Sequence, residues 1–78
     1  MLLQVVLDTM KRHASENWLV YYACKALNNM SLNAADRATI ITEGGVDVIR
    51  DAKRNHPGNG EMERLIQNEV DKLLAKLQ

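Results

Sequence analysis

The chain has 78 residues, of which 46% are hydrophobic, and its ten basic side chains balance ten acidic ones. This length allows one small domain with a marginal core, since so short a chain buries only about 60% of its unfolded surface. The balanced charge provides no basic field for nucleic acid and no polybasic patch for a membrane, so the expected partners are proteins. No targeting or transmembrane segment is visible, and the single cysteine, Cys24, indicates a reducing compartment, cytoplasmic or nuclear.

Apolar residues recur at spacings of three and four in the N-terminal part, which predicts two amphipathic helices. The first covers roughly residues 2–12 and the second roughly residues 15–31, with Ser15 as the expected N-cap of the second. The apolar stripe expected to pack the second helix onto the core consists of Leu19, Tyr22, Ala23, Ala26, Leu27 and Met30.

A double-glycine corner organises the rest of the chain. Asn33 is the expected cap of a short helix over residues 34–42, and Gly44 and Gly45 allow a steep turn into a helix over residues 46–54. A long helix over residues 60–77 follows the Pro57 turn. No segment alternates with period two, so the predicted fold class is all-α with five helices.

The helices repeat along the sequence. A shift of 42 residues aligns Val6, Leu7, Lys11 and Arg12 with Val48, Ile49, Lys53 and Arg54. A shift of 43 residues aligns Leu19, Ala23, Leu27 and Met30 with Met62, Ile66, Val70 and Leu73. Both shifts lie in the range of roughly 20 to 50 residues that is typical of α-helical repeat proteins.

The repeated unit resembles the armadillo repeat. The resemblance is carried by TIITEGGVDVIRDAKRN at the corner and by ACKALNNMS in the second helix, where Ala23, Ala26, Leu27, Asn29 and Met30 fill the family arrangement. It implies an α–α superhelix, an armadillo-type right-handed solenoid of about one and two-thirds repeats. Residues 1–31 would be the second and third helices of one repeat, and residues 33–78 a complete, C-terminal capping repeat with an atypical, more polar last helix.

A recognition strip is predicted along the long helices, which line the concave surface of such a solenoid. Helical geometry groups Trp18, Tyr21, Tyr22, Lys25 and Asn29, and the 43-residue shift sets Trp18, Tyr21, Lys25 and Asn29 beside Glu61, Arg64, Asn68 and Lys72. The predicted partner-binding residues are Trp18, Tyr21, Tyr22, Lys25, Asn29, Arg64, Asn68 and Lys72. The resemblance implies that Asn29 binds the backbone of a peptide. From helical geometry together with the resemblance, we expect Asn68 to act in the same way, Trp18 to supply an apolar contact, and Arg64 with Lys72 to favour an acidic group. Importin-type repeats have tryptophan where this chain has Lys25, which argues against a basic nuclear-localisation peptide.

Structural roles compete with these functional ones. Trp18 and Tyr22 are equally compatible with packing at the edge of the core, and Asn29 with tying the helix end to the following loop. Cys24 is interpreted as an ordinary small helix residue, and His13 and His56 as polar residues tolerated in equivalent turns, since no ligand or base is suitably spaced.

The predicted function is a non-enzymatic protein–protein interaction module that binds a peptide or partner protein on the concave surface. No catalytic residues, metal ligands or cofactors are predicted, because the sequence has no phosphate-binding glycine loop and no paired histidine and carboxylate motif. The alternative is a structural end cap or self-association element of a larger solenoid, with homo-oligomer formation through the N-terminal helix.

Overall fold

The computed structural model describes residues 2–77, and the predicted all-α class with five helices is confirmed. The helices are α1 (Leu2–Arg12), α2 (Asn17–Met30), α3 (Ala34–Thr42), α4 (Gly45–Asn55) and α5 (Glu61–Leu77). No strand occurs anywhere in this part of the chain. Met1 and Gln78, the outer ends of the two predicted repeat segments, lie outside the described residues.

The start of α2 differs from the prediction. Ser15 lies in a turn, and Glu16 occupies the N-cap position, with its main-chain oxygen accepting the amide of Val20. The Glu16 carboxylate contacts the imidazole Nδ1 of His13 at 3.1 Å and does not cap the helix with its side chain. The prediction of Ser15 as N-cap is therefore wrong, because α1 runs into a tight turn in which the Glu16 amide bonds to the His13 carbonyl.

The corner between α3 and α4 depends on both glycines. Gly44 has φ +76°, a left-handed conformation that non-glycine residues rarely adopt. A Cβ on Gly45 would lie 2.5 Å from Ile40 Cγ2 and 2.7 Å from the Ile40 carbonyl oxygen, so the absence of a side chain lets the two helices meet. At the other end of α3, the Asn33 side chain accepts the amides of Ala35 and Asp36, as predicted.

Helices that are related by the 42- and 43-residue shifts also pack against each other. The most extensive contact is between α2 and α5, and α1 packs on both α2 and α4. One hydrophobic core joins all five helices, with Leu7, Leu27, Ile40, Ile49 and Ile66 among its buried members. The chain therefore forms two layers, α1 with α4 and α2 with α5, and the short α3 closes the core through its contacts with α4 and α5.

The buried face of α2 is rotated from the predicted stripe. Its buried residues are Val20, Cys24, Leu27 and Asn28, whereas Tyr22 is 63% exposed and Ala23 and Ala26 are only partly covered. The predicted packing of Tyr22 is wrong because α2 contacts α1 and α5 on different sides, and the core lies between those two contacts. On α3, Ile40 is buried whereas its apolar neighbour Ile41 is 49% exposed, because only the face of α3 that carries Ile40 contacts the core.

His56 connects the α1–α2 turn with the α4–α5 turn and is more than a tolerated polar residue. It is buried, and its Nε2 lies 2.7 Å from the main-chain oxygen of Ala14, so this ring nitrogen carries the proton. Its own carbonyl accepts the side-chain amide of Gln67 at 2.9 Å. His56 therefore ties the α4–α5 turn to the α1–α2 turn. His13, in the equivalent turn, is exposed.

Candidate partner-binding groove

A polar network centred on Asn28 holds α2 against α5. The Asn28 side-chain amide donates to the Glu69 main-chain oxygen and to Glu69 Oε1, both at 3.0 Å. Lys76 Nζ donates to Asn28 Oδ1 at 3.2 Å and to the Asn28 carbonyl, which also accepts the hydroxyl of Ser31. Arg37 donates to the Ser31 carbonyl, which attaches α3 to the same network. Every buried side-chain nitrogen and oxygen in the described residues is hydrogen-bonded, so this network is fully satisfied.

The two long helices run in the same direction. Asn17, at the start of α2, donates to the carboxylate of Glu63 near the start of α5, at 3.3 Å. Farther along, Asn28 contacts Glu69 and Lys76. Because these contacts advance in the same order on both helices, α2 and α5 are parallel, and their exposed faces border one groove, called here the α2–α5 groove.

The α2 wall of this groove carries an aromatic and cationic cluster. Tyr21 is partly buried against the core, and Lys25 Nζ lies 5.4 Å from the centroid of its ring, a cation–π distance. The rings of Tyr21 and Tyr22 are tilted by 54° with centroids 5.3 Å apart. Asn29 is exposed, and its side chain makes no hydrogen bond within residues 2–77. Its amide is therefore available to a ligand.

The α5 wall carries the charged side chains that were predicted for it. Arg64, Asn68 and Lys72 are all exposed, and Glu61, Arg64, Leu65 and Asn68 surround a shallow depression at the N-terminal end of α5. Lys72 Nζ lies 3.5 Å from Glu69 Oε2, but the Glu69 side chain is only 15% exposed and already bonds Asn28. Within this groove, the exposed cations Lys25, Arg64 and Lys72 outnumber the exposed carboxylate Glu61, so the local charge favours an anionic ligand.

Two of the predicted strip residues border a different surface. Trp18 and Tyr22 line a shallow cleft of about 260 Å³ between α1 and α2, called here the α1–α2 cleft. Its lining consists of Val5, Val6, Thr9, Trp18, Leu19, Tyr22 and Ala23. Trp18 is 57% exposed and Tyr22 63% exposed, so neither is an edge-of-core packing residue. The predicted single strip is thus divided between the polar α2–α5 groove and the apolar α1–α2 cleft.

The cysteine lies inside the core between the long helices. Cys24 is fully buried, and burial together with the Glu69 carboxylate raises the pKa of its thiol to about 12. A thiol with so high a pKa is protonated near neutral pH and is a poor nucleophile or metal ligand. In the described part of the chain, no three histidine, cysteine, aspartate or glutamate side chains group closely enough to hold a metal ion.

The bridging roles of Asn28 and His56 were not predicted from the sequence, although both side chains connect elements far apart along the chain. A signal for Asn28 was present, because Val20, Cys24 and Asn28 follow one another at intervals of four and so share one helix face. The prediction concentrated instead on the neighbouring Asn29. His56 had no local signal, since its partner is a main-chain oxygen 42 residues away.

Comparison with protein families, with curated proteins and with solved structures finds no match to this chain. The helices of the described residues are too short or too polar for any of them to cross a membrane.

Proposed function

We propose that this chain is a non-enzymatic protein-interaction module of the armadillo type that binds an extended, acidic peptide in the α2–α5 groove. In this proposal, residues 1–31 are the last two helices of one repeat and residues 33–78 are a complete repeat. The packing of α1 on α4 and of α2 on α5 supports it, because consecutive repeats of a solenoid stack equivalent helices.

The observation that carries the proposal is the contrast between two adjacent asparagines. Asn28 is buried and uses its amide to bond α5, whereas Asn29 is exposed and its amide has no partner in the described residues. A side-chain amide can donate to a peptide carbonyl and accept from a peptide N–H at the same time. Asn28 therefore has a structural role, because it bonds α2 to α5, whereas the exposed amide of Asn29 is available to bind a ligand.

The charges define the class of peptide. Lys25, Arg64 and Lys72 attract carboxylates of the peptide, while Asn29 and Asn68 bind its main chain, and the ring of Tyr21 offers an apolar contact beside Lys25. Charge complementarity of this kind raises the association rate and is weakened by salt. We therefore expect affinity for acidic peptides to fall as ionic strength rises.

The test is a screen of random extended peptides, followed by fluorescence-polarisation titration of the best acidic binder. Arg64→Glu is expected to weaken binding at least about tenfold at low salt, because it replaces attraction by repulsion. Asn29→Ala is expected to weaken binding about five- to tenfold through the lost amide hydrogen bonds. Arg50→Glu is the matched control, since Arg50 is also exposed but lies on α4 away from the groove, and it should change affinity less than about twofold.

Circular dichroism confirms folding of each variant before binding is compared. Absence of any acidic binder from the screen, or equal affinity of the wild type, Arg64→Glu and Asn29→Ala, would remove the α2–α5 groove as the site. The same titration with Trp18→Ala decides whether this residue contributes to the groove as the sequence predicts, or belongs only to the α1–α2 cleft.

A second candidate function, a self-association or end-cap element, is favoured by a separate observation. The chain exposes Trp18 and Tyr22 at the α1–α2 cleft, and large aromatic side chains left on a surface mark interaction sites. This surface does not overlap the charged residues of the α2–α5 groove.

A further inference from the structure

The α1–α2 cleft has the chemistry of a protein interface and not of a solvated surface. The seven side chains that line it include no carboxylate, ammonium or guanidinium group. The hydroxyl of Thr9 donates to the Val5 main-chain oxygen of its own helix at 2.7 Å, so covering it leaves no unpaired donor. Trp18 and Tyr22 combine large apolar surface with one polar atom each, which suits them to a contact whose rim stays wet.

The outer faces of α4 and α5 are charged and do not complement this cleft. On α4 the exposed surface is formed by Asp47, Arg50, Asp51 and Arg54, with Arg54 paired to Asp51. Five large hydrophobic side chains are exposed in the described residues, and three of them, Val5, Trp18 and Tyr22, border the cleft. The other two, Leu32 and Ile41, belong to the α2–α3 turn and to α3. The part of this chain best able to cover the cleft is therefore the cleft of another copy.

The shape of the surface also suits pairing with itself. An isologous interface requires one patch to provide both the protruding and the receiving elements. The α1–α2 cleft does so. Trp18 and Tyr22, each with more than half of its surface exposed, are the protruding elements, and the shallow cleft of about 260 Å³ that they border is the receiving one. A head-to-tail contact through α4 or α5 would instead set this apolar cleft against charged side chains, which would lose their hydration without gaining an opposite charge from the cleft.

We propose that two copies of this chain form a two-fold dimer in which Trp18 and Tyr22 of each copy enter the α1–α2 cleft of the other. With 57% and 63% of their surfaces exposed, and roughly 150–250 Å² buried per aromatic residue, the two rings offer about 180–300 Å² per copy. Stable interfaces bury about 800 Å² per partner, so the rings supply about a quarter to a third of that area. The rest of the interface must therefore come from the other cleft residues, and the dimer is expected at the weak end of specific protein interfaces.

Trp18 is the single tryptophan of the chain, so its fluorescence reports on the interface directly. Sedimentation velocity and tryptophan emission are measured on the full chain from about 1 μM to 1 mM, a range in which weak dimers dissociate and form. The expected result is a transition from monomer to dimer that stops at twice the monomer mass, with a blue shift of Trp18 emission over the same concentrations. Tyr22→Lys, which keeps the fluorophore, is expected to raise Kd at least about tenfold and to abolish the shift.

Leu32→Lys is the matched control, because Leu32 is even more exposed than Tyr22 but lies outside the cleft, and dimerisation should be unchanged. Arg64→Glu should also leave dimerisation unchanged, which separates this test from that of the peptide groove. A chain that stays monomeric at 1 mM, dimers that survive Tyr22→Lys, or open-ended oligomers indicating head-to-tail stacking would each overturn the proposal. Circular dichroism of Tyr22→Lys ensures that a loss of association is not a loss of fold.

Discussion

The side-chain amide of Asn28 lies 3.0 Å from both the main-chain oxygen and the carboxylate Oε1 of Glu69, and so joins the last turn of α2 to the middle of α5. A main-chain acceptor does not shift with side-chain rotation, so this bond sets how far one long helix is displaced along the other. The register of the α2–α5 groove, and hence the relative positions of Asn29 and Lys72, depends on it.

Asn28→Ala is expected to destabilise the fold by about 1–3 kcal/mol, because it removes a buried amide and leaves part of the Glu69 and Lys76 hydrogen bonding unmet. Asn29→Ala should change the free energy of unfolding by less than about 0.5 kcal/mol, since its side chain is exposed. Urea denaturation of both variants checks this contrast. Equal stability of the two variants would contradict the assignment of Asn28 to structure and Asn29 to binding.

Leu27→Ala is expected to cost about 2–5 kcal/mol, because Leu27 is fully buried in the core with Ile40 and Ile49. Leu32→Ala provides the control, since the same truncation at a residue 73% exposed should cost less than about 0.5 kcal/mol. Denaturant titration measures both changes. A loss below half a kilocalorie for Leu27→Ala would refute its place in the core.

The two corner glycines should respond differently to substitution. Gly44→Ala is expected to cost about 1–2 kcal/mol through its left-handed backbone alone, because a Cβ there meets nothing within 4 Å. Gly44→Asn should cost less, since asparagine tolerates this conformation better. Gly45→Ala is expected to cost about 1–3 kcal/mol for a steric reason, namely the overlap with Ile40.

Thermal unfolding of the three glycine variants tests this account, together with Gly45→Ala in an Ile40→Val background. Ile40→Val does not remove the Ile40 carbonyl, so it should relieve only part of the Gly45→Ala penalty. If Gly44→Asn were as costly as Gly44→Ala, the conformational explanation would fail.

Cys24 should make the fold less stable in alkali. The thiol ionises near pH 9.0 when unfolded, while burial, with a contribution from Glu69, raises its pKa in the folded protein to about 12. Below pH 9 both states keep the proton, and stability is unaffected. Between pH 9 and pH 12 the unfolded state loses the proton first, so Cys24 reduces stability by up to about 1.4 kcal/mol per pH unit.

Cys24→Ala isolates this effect from the titration of lysines and tyrosines. The difference in unfolding free energy between the wild type and Cys24→Ala should fall by roughly 1.6 kcal/mol between pH 9 and pH 10.5. Urea titrations at these two pH values and at pH 7 provide the measurement. A difference that stays constant across the three would mean that the thiol ionises as readily in the folded protein as in the unfolded one.

Local patterns predicted the helices well. Apolar spacing located all five, and Asn33 caps α3 as expected. At the corner, Gly44 adopts a left-handed backbone and Gly45 lacks the side chain that would overlap Ile40. These features depend on residues within a few positions of one another, where propensity, capping and backbone sterics act. The 42- and 43-residue shifts likewise identified the helix pairs that pack together.

The orientation of α2 was decided by tertiary packing. Apolar residues surround much of this helix, from Leu19 and Val20 to Tyr22 and Cys24, so its periodicity does not specify which line faces the core. Contact with α1 on one side and α5 on another selected Val20, Cys24 and Leu27.

The orientation of α2 also determined the two candidate binding surfaces. It buried Asn28 against Glu69, exposed Asn29, and left Trp18 and Tyr22 beside α1, away from the charged residues of α5. The sequence by itself determined the helices, the Asn33 cap of α3 and the pairing of helices, because these follow from neighbouring residues and from repetition. The tertiary structure decided which side of each helix meets a partner, because that depends on contacts such as those between His56 and Ala14 or Asn28 and Glu69, about 40 residues apart in the chain.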